Sequence, residues 1–435
     1  MTEHYDALIV GAGPAGLAAT HTAASHGMRV ALIDAQTYVG GQVWRKDALH
    51  GWPRRVQRCM ARALNHPNVT WLAHTHVVAA EQDEFGHGGL LLQDDRGAHR
   101  VTYGALILAT GARELLLPFP GWTLPGVTGA GALQALAKQG WPLAGRRVVI
   151  AGSGPLLLAA AATAKRHGAH VMGIYEQASA TAVNHFARHL WRWPGKALQA
   201  ALLRYQLAGI PYRYGHIVRR AIGTDALQAV DVDGPDGSER LECDQLAIGY
   251  GLVPNVELAH MLGCALRHEG AHLCVDVDAL QRTSTANIYA AGELCGIGGR
   301  DSAWLEGSIA GYAAAGAPIS ASLLRQQQHA RAFADALRQG FALSPRIHAL
   351  AQPDTLVCRC EDITLHALDG YTDSRSAKLA TRVGMGACQG RICGSALAEL
   401  GRFPRSGQRP PLFPARLSTL GDNASLSSDH QESYS

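Results

Sequence analysis

One pattern constrains this chain more than any other. An apolar run, a glycine-rich turn, a small-residue helix and a second apolar run are written twice along it. The first copy has the strand Ala7 to Val10, the turn Gly11-Ala12-Gly13-Pro14-Ala15-Gly16, a helix to about His26 and a strand from Arg29 to Ile33. The second starts at Arg147, in VVIAGSGPLLLAAAATAKRHGAHVMGIYE. Strand, glycine turn, helix and strand in this order make each copy a beta-alpha-beta unit. GALILATGARE at 104–114 and LAIGYGLVPN at 246–255 read as equivalent later strands of the two units. The predicted fold class is α/β, with two Rossmann-like dinucleotide-binding domains in series and a small C-terminal domain.

A length of 435 residues accommodates about three domains. The first nucleotide domain is expected at 1–115 and 256–320, because TANIYAAGELCGIGG supplies a return strand and Asp301 to Ala317 a helix. The second is expected at 116–255, a helical connector at 321–353, a cysteine module at 354–400 and a tail at 401–435 whose last fifteen residues read as disordered. A net charge of +4 is too weak for a nucleic-acid or membrane field, and 49 glycines without a Gly-x-y period exclude collagen. Val148 to Ala164 and Gly307 to Leu324 approach membrane length, but a glycine turn breaks the first and the second is mostly Gly, Ala and Ser. No transmembrane segment is predicted. The start, MTEHYDALIVGAGPAG, has no basic region or cleavage site, which predicts a cytoplasmic protein whose nine cysteines stay reduced.

In the first unit, Gly11 permits the turn, Gly13 lets backbone approach a pyrophosphate and Gly16 allows close helix packing. Asp34, eighteen residues after Gly16, ends the second strand where a carboxylate accepts hydrogen bonds from an adenosine ribose. These elements suit FAD and NAD alike. Gly40-Gly41-Gln42, Ala109-Thr110-Gly111-Ala112-Arg113 and Tyr289-Ala290-Ala291-Gly292-Glu293 resemble the FAD-binding elements of two-dinucleotide-domain flavoproteins. The resemblance implies FAD in the first domain, with Gly41, Gln42, Val77, Thr110, Gly111, Gly292 and Glu293 among its contacts and Glu293 at the ribityl chain. Disulfide reductases of this architecture need a close pair of cysteines. VGGQVWRK and the stretch 126–150 contain none, so a dithiol mechanism is excluded.

The second turn, Gly152-Ser153-Gly154-Pro155-Leu156-Leu157, keeps two glycines and puts leucine at the third position. Glu176 ends its following strand as a candidate ribose acid, and no arginine follows to receive a 2′-phosphate. Two readings stand: a site for NAD or another adenine nucleotide, or a vestigial domain kept for packing.

Cys358-Arg359-Cys360 and Cys388-Gln-Gly-Arg-Ile-Cys393 supply four thiolates, the ligand count of a [2Fe–2S] cluster or a structural zinc. CxxC is the recurring zinc spacing and CxC with CxxxxC is not, which favours iron–sulfur over zinc or free thiols. VCRCEDIT and RVGMGACQGRICG resemble the [2Fe–2S] domain of bacterioferritin-associated-ferredoxin type. Arg359, Arg382 and Arg391 are placed to offset an anionic cluster, and the other five cysteines read as packing residues.

From Tyr5 to about Leu417, with AGELCGIGG, GMGACQGRICG and RPPLFPARLSTL as the specific parts, the chain resembles the FAD-containing subunit of heteromeric bacterial amino-acid dehydrogenases. That group includes the A subunit of opine oxidase, the middle subunit of hydrogen cyanide synthase and the D-hydroxyproline dehydrogenase alpha subunit. The resemblance implies amine oxidation on a partner flavoprotein subunit, electron transfer through this chain and, as a further partner, a small ferredoxin-like subunit. The alternatives are a self-sufficient NADH-dependent FAD/[2Fe–2S] reductase and a scaffold subunit that never turns over. No nucleophile–base or acid–base pair is identifiable, so no catalytic residue is assigned. His185 and His189 at i, i+4 read as a surface helix, His74 and His76 as one strand face, and HLWRWPGKALQAALLRYQ as either a partner surface or a packed amphipathic helix.

Overall fold

The computed structural model describes residues 3–82, 88–404 and 410–421; the expected disordered end lies outside these, from 422 onward. The first sheet is built on Glu3–Val10, whose residues from Ala7 onward bury on both faces. It pairs in parallel with Val30–Ile33 and with Ala98–Leu108, and Val30–Ile33 pairs with Val69–Leu72. His76–Gln82 and Gly88–Gln93 extend the Ala98–Leu108 edge antiparallel. The late strand Ile288–Ala290 returns to pair in parallel with Ala98–Leu108. The helices Pro14–Ser25 and Gly299–Ala314 then pack backbone to backbone. A Cβ on Gly307 would lie 2.0 Å from the Ala15 carbonyl oxygen and one on Gly311 2.8 Å from that of Ala19.

The second sheet is wholly parallel, in the order Tyr212–Tyr214, His170–Glu176, Arg147–Gly152, Gln245–Gly249, Val127–Gly129. A three-stranded antiparallel meander, Ile217–Gly223, Leu227–Gly234 and Gly237–Glu242, sits beside it. The two units are joined by the short antiparallel pair Ala112–Glu114 and Leu252–Pro254. Each sheet has its own core: Leu8, Leu106 and Ala290 lie in one, and Val149, Leu246 and Trp122 in the other. After the helix Ala321–Gly340 and the turn Pro345–His348, the cysteine module has a small core of Val357, Leu368, Ala377, Leu397 and Phe403. No described helix is long and apolar enough to cross a membrane.

One local expectation fails. His74 does not share a strand face with His76: it sits at φ 52 in the turn before the strand begins at His76. The amide of Thr75 donates to the Asp34 carbonyl at 3.1 Å, and that turn overrides the apolar alternation.

Candidate functional site

The glycines of the first turn divide into two kinds. Cβ atoms on Gly11 and Gly16 would lie 2.2 Å from the Ala109 carbonyl oxygen and 1.8 Å from that of Gly11, so both allow backbone to touch backbone. Gly13 differs: no atom lies within 4 Å of where its Cβ would be. The helix Pro14–Ser25 starts at Gly13 without a side-chain cap, so its first amides and the macrodipole face an open cradle. Ala12 and Ala15 are buried beneath it. The Gly40-Gly41 loop folds over the same turn, since the Gly40 amide donates to the Ala12 carbonyl at 2.7 Å and a Gly41 Cβ would lie 3.0 Å from the Gly13 Cα. A pyrophosphate fits this concavity.

Asp34 borders it. Its Oδ2 accepts from the Ala12 amide at 2.7 Å and its Oδ1 from the Gln36 amide at 2.9 Å, while burial pushes the carboxyl above its ordinary range. Gln42 is exposed and accepts from Arg45 at 2.8 Å. The Val77 side chain belongs to the core, leaving only its backbone for any ligand. Thr110 and Gly111 are locked to the domain joint: Thr110 Oγ1 donates to the Asn255 carbonyl at 2.7 Å, Asn255 Nδ2 to the Thr110 carbonyl at 2.9 Å and the Asn255 amide to the Gly111 carbonyl at 3.0 Å.

Gly292 takes φ +88, and a Cβ there would lie 2.9 Å from the Ala15 Cβ, which brings the late motif against the first helix. Glu293 follows. Its Oε1 accepts from the Gly299 amide at 2.7 Å, capping the next helix, while its Oε2 is buried with no hydrogen-bond partner. Burial, with the Glu306 carboxylate nearby, pushes the carboxyl up to about 7. A buried oxygen without a donor fits a hydroxyl-bearing ligand chain. Glu306, invisible to motif reading, holds the Gly292 amide at 2.9 Å and meets Arg331 at 3.3 Å.

The second turn repeats the two amide bonds of Asp34 and encloses its acid further, since Asp34 is only half-buried. Glu176 is fully buried, and protein donors take both its oxygens: the Gly154 amide at 2.8 Å and the Tyr212 hydroxyl at 3.3 Å on Oε2, and the Ala178 amide at 2.9 Å on Oε1. Ser153 Oγ donates to the Phe341 carbonyl at 2.9 Å, and a Cβ on Gly154 would lie 3.8 Å from the Phe341 ring. Gln177 donates to the Ala342 carbonyl at 2.9 Å and accepts from the Ser344 amide at 3.0 Å. Gly152, at φ +138, keeps its packing role against the Gly249 carbonyl oxygen. The connector therefore lies over the turn where a second dinucleotide would bind.

In the C-terminal module the four cysteines converge. The Cys393 thiol neighbours those of Cys388 and Cys358, and the Cys388 thiol neighbours that of Cys360. The neighbouring Cys393 thiol, helped by the amides of Ile392 and Gly390, holds the Cys388 thiol below its ordinary range. A Cβ on Gly386 would lie 2.1 Å from the Cys360 Cβ, so only glycine lets this loop close on the first pair. The arginines are more committed than their proximity in sequence suggests. Arg382 pairs with Glu361 at 2.7 Å, Arg359 stacks on Trp122, and Arg391 donates to the Leu412 carbonyl and stacks on Phe413.

Arg113 ties this module to the flavin-type elements. Its Nε donates to the Arg391 carbonyl at 3.2 Å, one guanidinium nitrogen to Asn255 Oδ1 at 2.6 Å and to Glu257 at 2.8 Å, and the other to Ser395 Oγ at 3.4 Å. A second joint was missed by sequence reasoning: Asp47, from the loop after Gly41, meets buried His167 of the second unit at 3.0 Å and His50 at 3.2 Å. Although burial opposes ionisation, the His50 amide, His167 and the Leu49 amide hold the Asp47 carboxyl down to about 2. No motif spacing links residues 120 positions apart.

The sequence matches the pyridine nucleotide-disulphide oxidoreductase family over residues 5–317. The chain belongs to that family. It is thereby an FAD-dependent oxidoreductase, a flavoprotein with a dinucleotide-binding fold. It is 34% identical to the hydrogen cyanide synthase subunit HcnB of Pseudomonas protegens, over 89% of each chain. It is 31% identical to the A subunit of opine oxidase from Rhizobium meliloti, over 96% of this chain and 98% of that one. Among solved structures, L-proline dehydrogenase from P. horikoshii matches 97% of this oxidoreductase and 80% of that chain, with a TM-score of 0.67 and 20% identity, a likeness of fold.

Proposed function

We propose that this chain is the flavin- and iron–sulfur-bearing electron-transfer subunit of a heteromeric amino-acid or imino-acid dehydrogenase of opine, D-hydroxyproline or glycine type. It takes electrons from an amine-oxidising flavoprotein subunit in the cytoplasm, and its further partner is a small ferredoxin-like subunit. The observation that carries this reading is Arg113. It begins in the Ala109–Arg113 motif of the FAD domain and ends on the carbonyl of Arg391 and the hydroxyl of Ser395, on either side of Cys393. One side chain thus fixes the spacing between the two candidate redox sites.

The first domain would hold FAD through Gly11, Gly13, Asp34, Thr110, Gly111 and Glu293, and Cys358, Cys360, Cys388 and Cys393 would hold a [2Fe–2S] cluster. Bound together, FAD would accept an electron pair and the cluster would pass single electrons onward. The chain's own residues orient and insulate. Gly13 and the helix amides receive the pyrophosphate, the buried Glu293 oxygen accepts from a ribityl hydroxyl, and Gly386 closes the thiol set. Zinc suits the thiols less well. A tetrahedral ion needs its four ligand atoms mutually close, whereas among the described residues the group of three or more with ligand atoms all within 4.8 Å is Asp47, His50 and His167. The arrangement at Glu176 and Phe341 speaks against a self-sufficient NADH-dependent reductase.

The test is amine-dependent dye reduction over imino acids, opines and glycine, with the purified chain alone and then with its partner. Turnover is expected only with the partner. Robust turnover by the chain alone would place the amine pocket in this sequence and overturn the reading.

A further inference from the structure

The segment between the second unit's strands His170–Glu176 and Tyr212–Tyr214 does more than connect them. Its helix Pro194–Gln206 has no buried residue, which is unusual for a helix carrying four leucine and tyrosine side chains. Leu198, Leu202 and Tyr205 recur at i, i+4 and i+7 on one face and are 62%, 53% and 80% exposed, with Trp191 just ahead of them at 76%. Isolated apolar residues on a surface need no explanation, but a helical stripe of them joined to an exposed tryptophan does.

The charge around the stripe is one-sided. From Gln177 to Thr224 there is no Asp or Glu, while Arg188, Arg192, Lys196, Arg204, Arg213, Arg219 and Arg220 are present. Lys196, Arg213 and Arg219 are neutralised by Asp301, Glu239 and the Asp231–Asp233 pair. Arg188, Arg192 and Arg204 are exposed, and among the described residues none of these three lies within 4.0 Å of a carboxylate. Arg192 and Arg204 instead lie over the rings of Trp193 and Tyr212. On the inward side of the same helix, at Lys196, lies a cavity of about 420 Å³ lined by Trp193, Lys196, Asp301, Arg325 and His329. Its inner wall is the start of the helix Gly299–Ala314, the one that Glu293 caps.

We propose that this face is the docking surface for an acidic protein partner, whose apolar centre covers Trp191, Leu198, Leu202 and Tyr205 and whose carboxylates meet Arg188, Arg192 and Arg204. Exposed Trp, Tyr and Arg around an apolar centre are the residue types that anchor protein interfaces. A membrane-surface helix needs a broad apolar face, and three residues in thirteen form too narrow a stripe. The proposal rests on the functional reading above in taking that partner to be the amine-oxidising subunit.

The flavin-loaded chain is titrated with the separately purified subunit that restores amine-dependent dye reduction. Leu202→Glu with Tyr205→Glu is expected to weaken association at least tenfold. Arg192→Glu should weaken it more than Arg192→Ala, and added salt should weaken the wild type. Flavin content and thermal midpoint should not move, because the substituted side chains are exposed. Wild-type affinity in these variants, with the complex otherwise intact, overturns the surface and leaves the functional reading standing. So does finding that the variants abolish instead a concentration-dependent self-association, or binding to phosphatidylglycerol vesicles. Amine turnover by the chain without any partner overturns both.

Discussion

Ser153 donates its hydroxyl hydrogen bond to the backbone carbonyl of Phe341, 188 residues later, at 2.9 Å. The hydroxyl in the middle of the second glycine turn is thereby engaged by the connector, and Gln177 binds the next carbonyl along. Rotating Phe341 away would also disturb its edge-to-face contact with Phe186, whose ring centroid is 5.2 Å distant. A dinucleotide would have to displace all of this.

NADH is therefore expected neither to bleach the flavin of the anaerobic wild-type protein nor to raise its thermal midpoint at millimolar concentration. Ligand that bound the folded state with a micromolar dissociation constant would stabilise it by about 4 kcal/mol at a thousandfold excess, an effect hard to miss. A clear rise in midpoint would show the turn to be open.

The two kinds of glycine in the first turn separate folding from binding. Gly13→Glu is expected to leave the flavin-free fold within about 0.5 kcal/mol of wild type, since its side chain enters open space, yet to abolish flavin content through clash and like charge. Gly11→Ala is expected to cost several kcal/mol whether or not flavin is present, because its Cβ would lie 2.2 Å from the Ala109 carbonyl oxygen at φ +106. Denaturant unfolding and flavin absorbance together distinguish the pair.

Glu293 should leave a mark on stability against pH in the flavin-free chain. Its carboxyl is held up to about 7 when folded, so between roughly pH 4.5 and 7 the folded state keeps a proton that the unfolded state releases. Stability is highest below that window and falls as pH rises through it, by roughly 3 kcal/mol in total. Glu293→Gln should flatten this part of the curve while keeping the bond to the Gly299 amide. An unchanged slope in the variant would mean that the proton is held elsewhere.

Gly386→Ala tests the cysteine module without touching a thiol. Its methyl would lie 2.1 Å from the Cys360 Cβ, so anaerobic preparations are expected to lose most of their iron while flavin content stays near wild type. The wild-type protein should carry about two irons per chain and give a reduced-state EPR signal. Stoichiometric zinc without iron after anaerobic reconstitution would reject the [2Fe–2S] assignment.

Local sequence was enough for the features that depend on backbone conformation and near neighbours. Gly11, Gly13 and Gly16 announce a strand-to-helix turn because their spacing has few other uses, and the two cysteine pairs mark a candidate ligand set by their count. Asp34 and Glu293 sit at the ends of strands whose apolar runs are legible by themselves. Tertiary structure alone decided which of these groups remain available to a ligand. Asp34 and Glu176 occupy equivalent places after equivalent turns and each holds two backbone amides, yet Asp34 stays half-buried while Glu176 is fully buried and also meets Tyr212, and Glu293 keeps a buried oxygen without a donor. Phe341 over Ser153, Arg113 against Arg391 and Asp47 against His167 join residues more than a hundred positions apart. Periodicity and motif spacing carry information over a few turns of chain. Whether a polar group meets solvent, ligand or a distant carbonyl is settled only when the separate cores pack and bring those remote segments into contact.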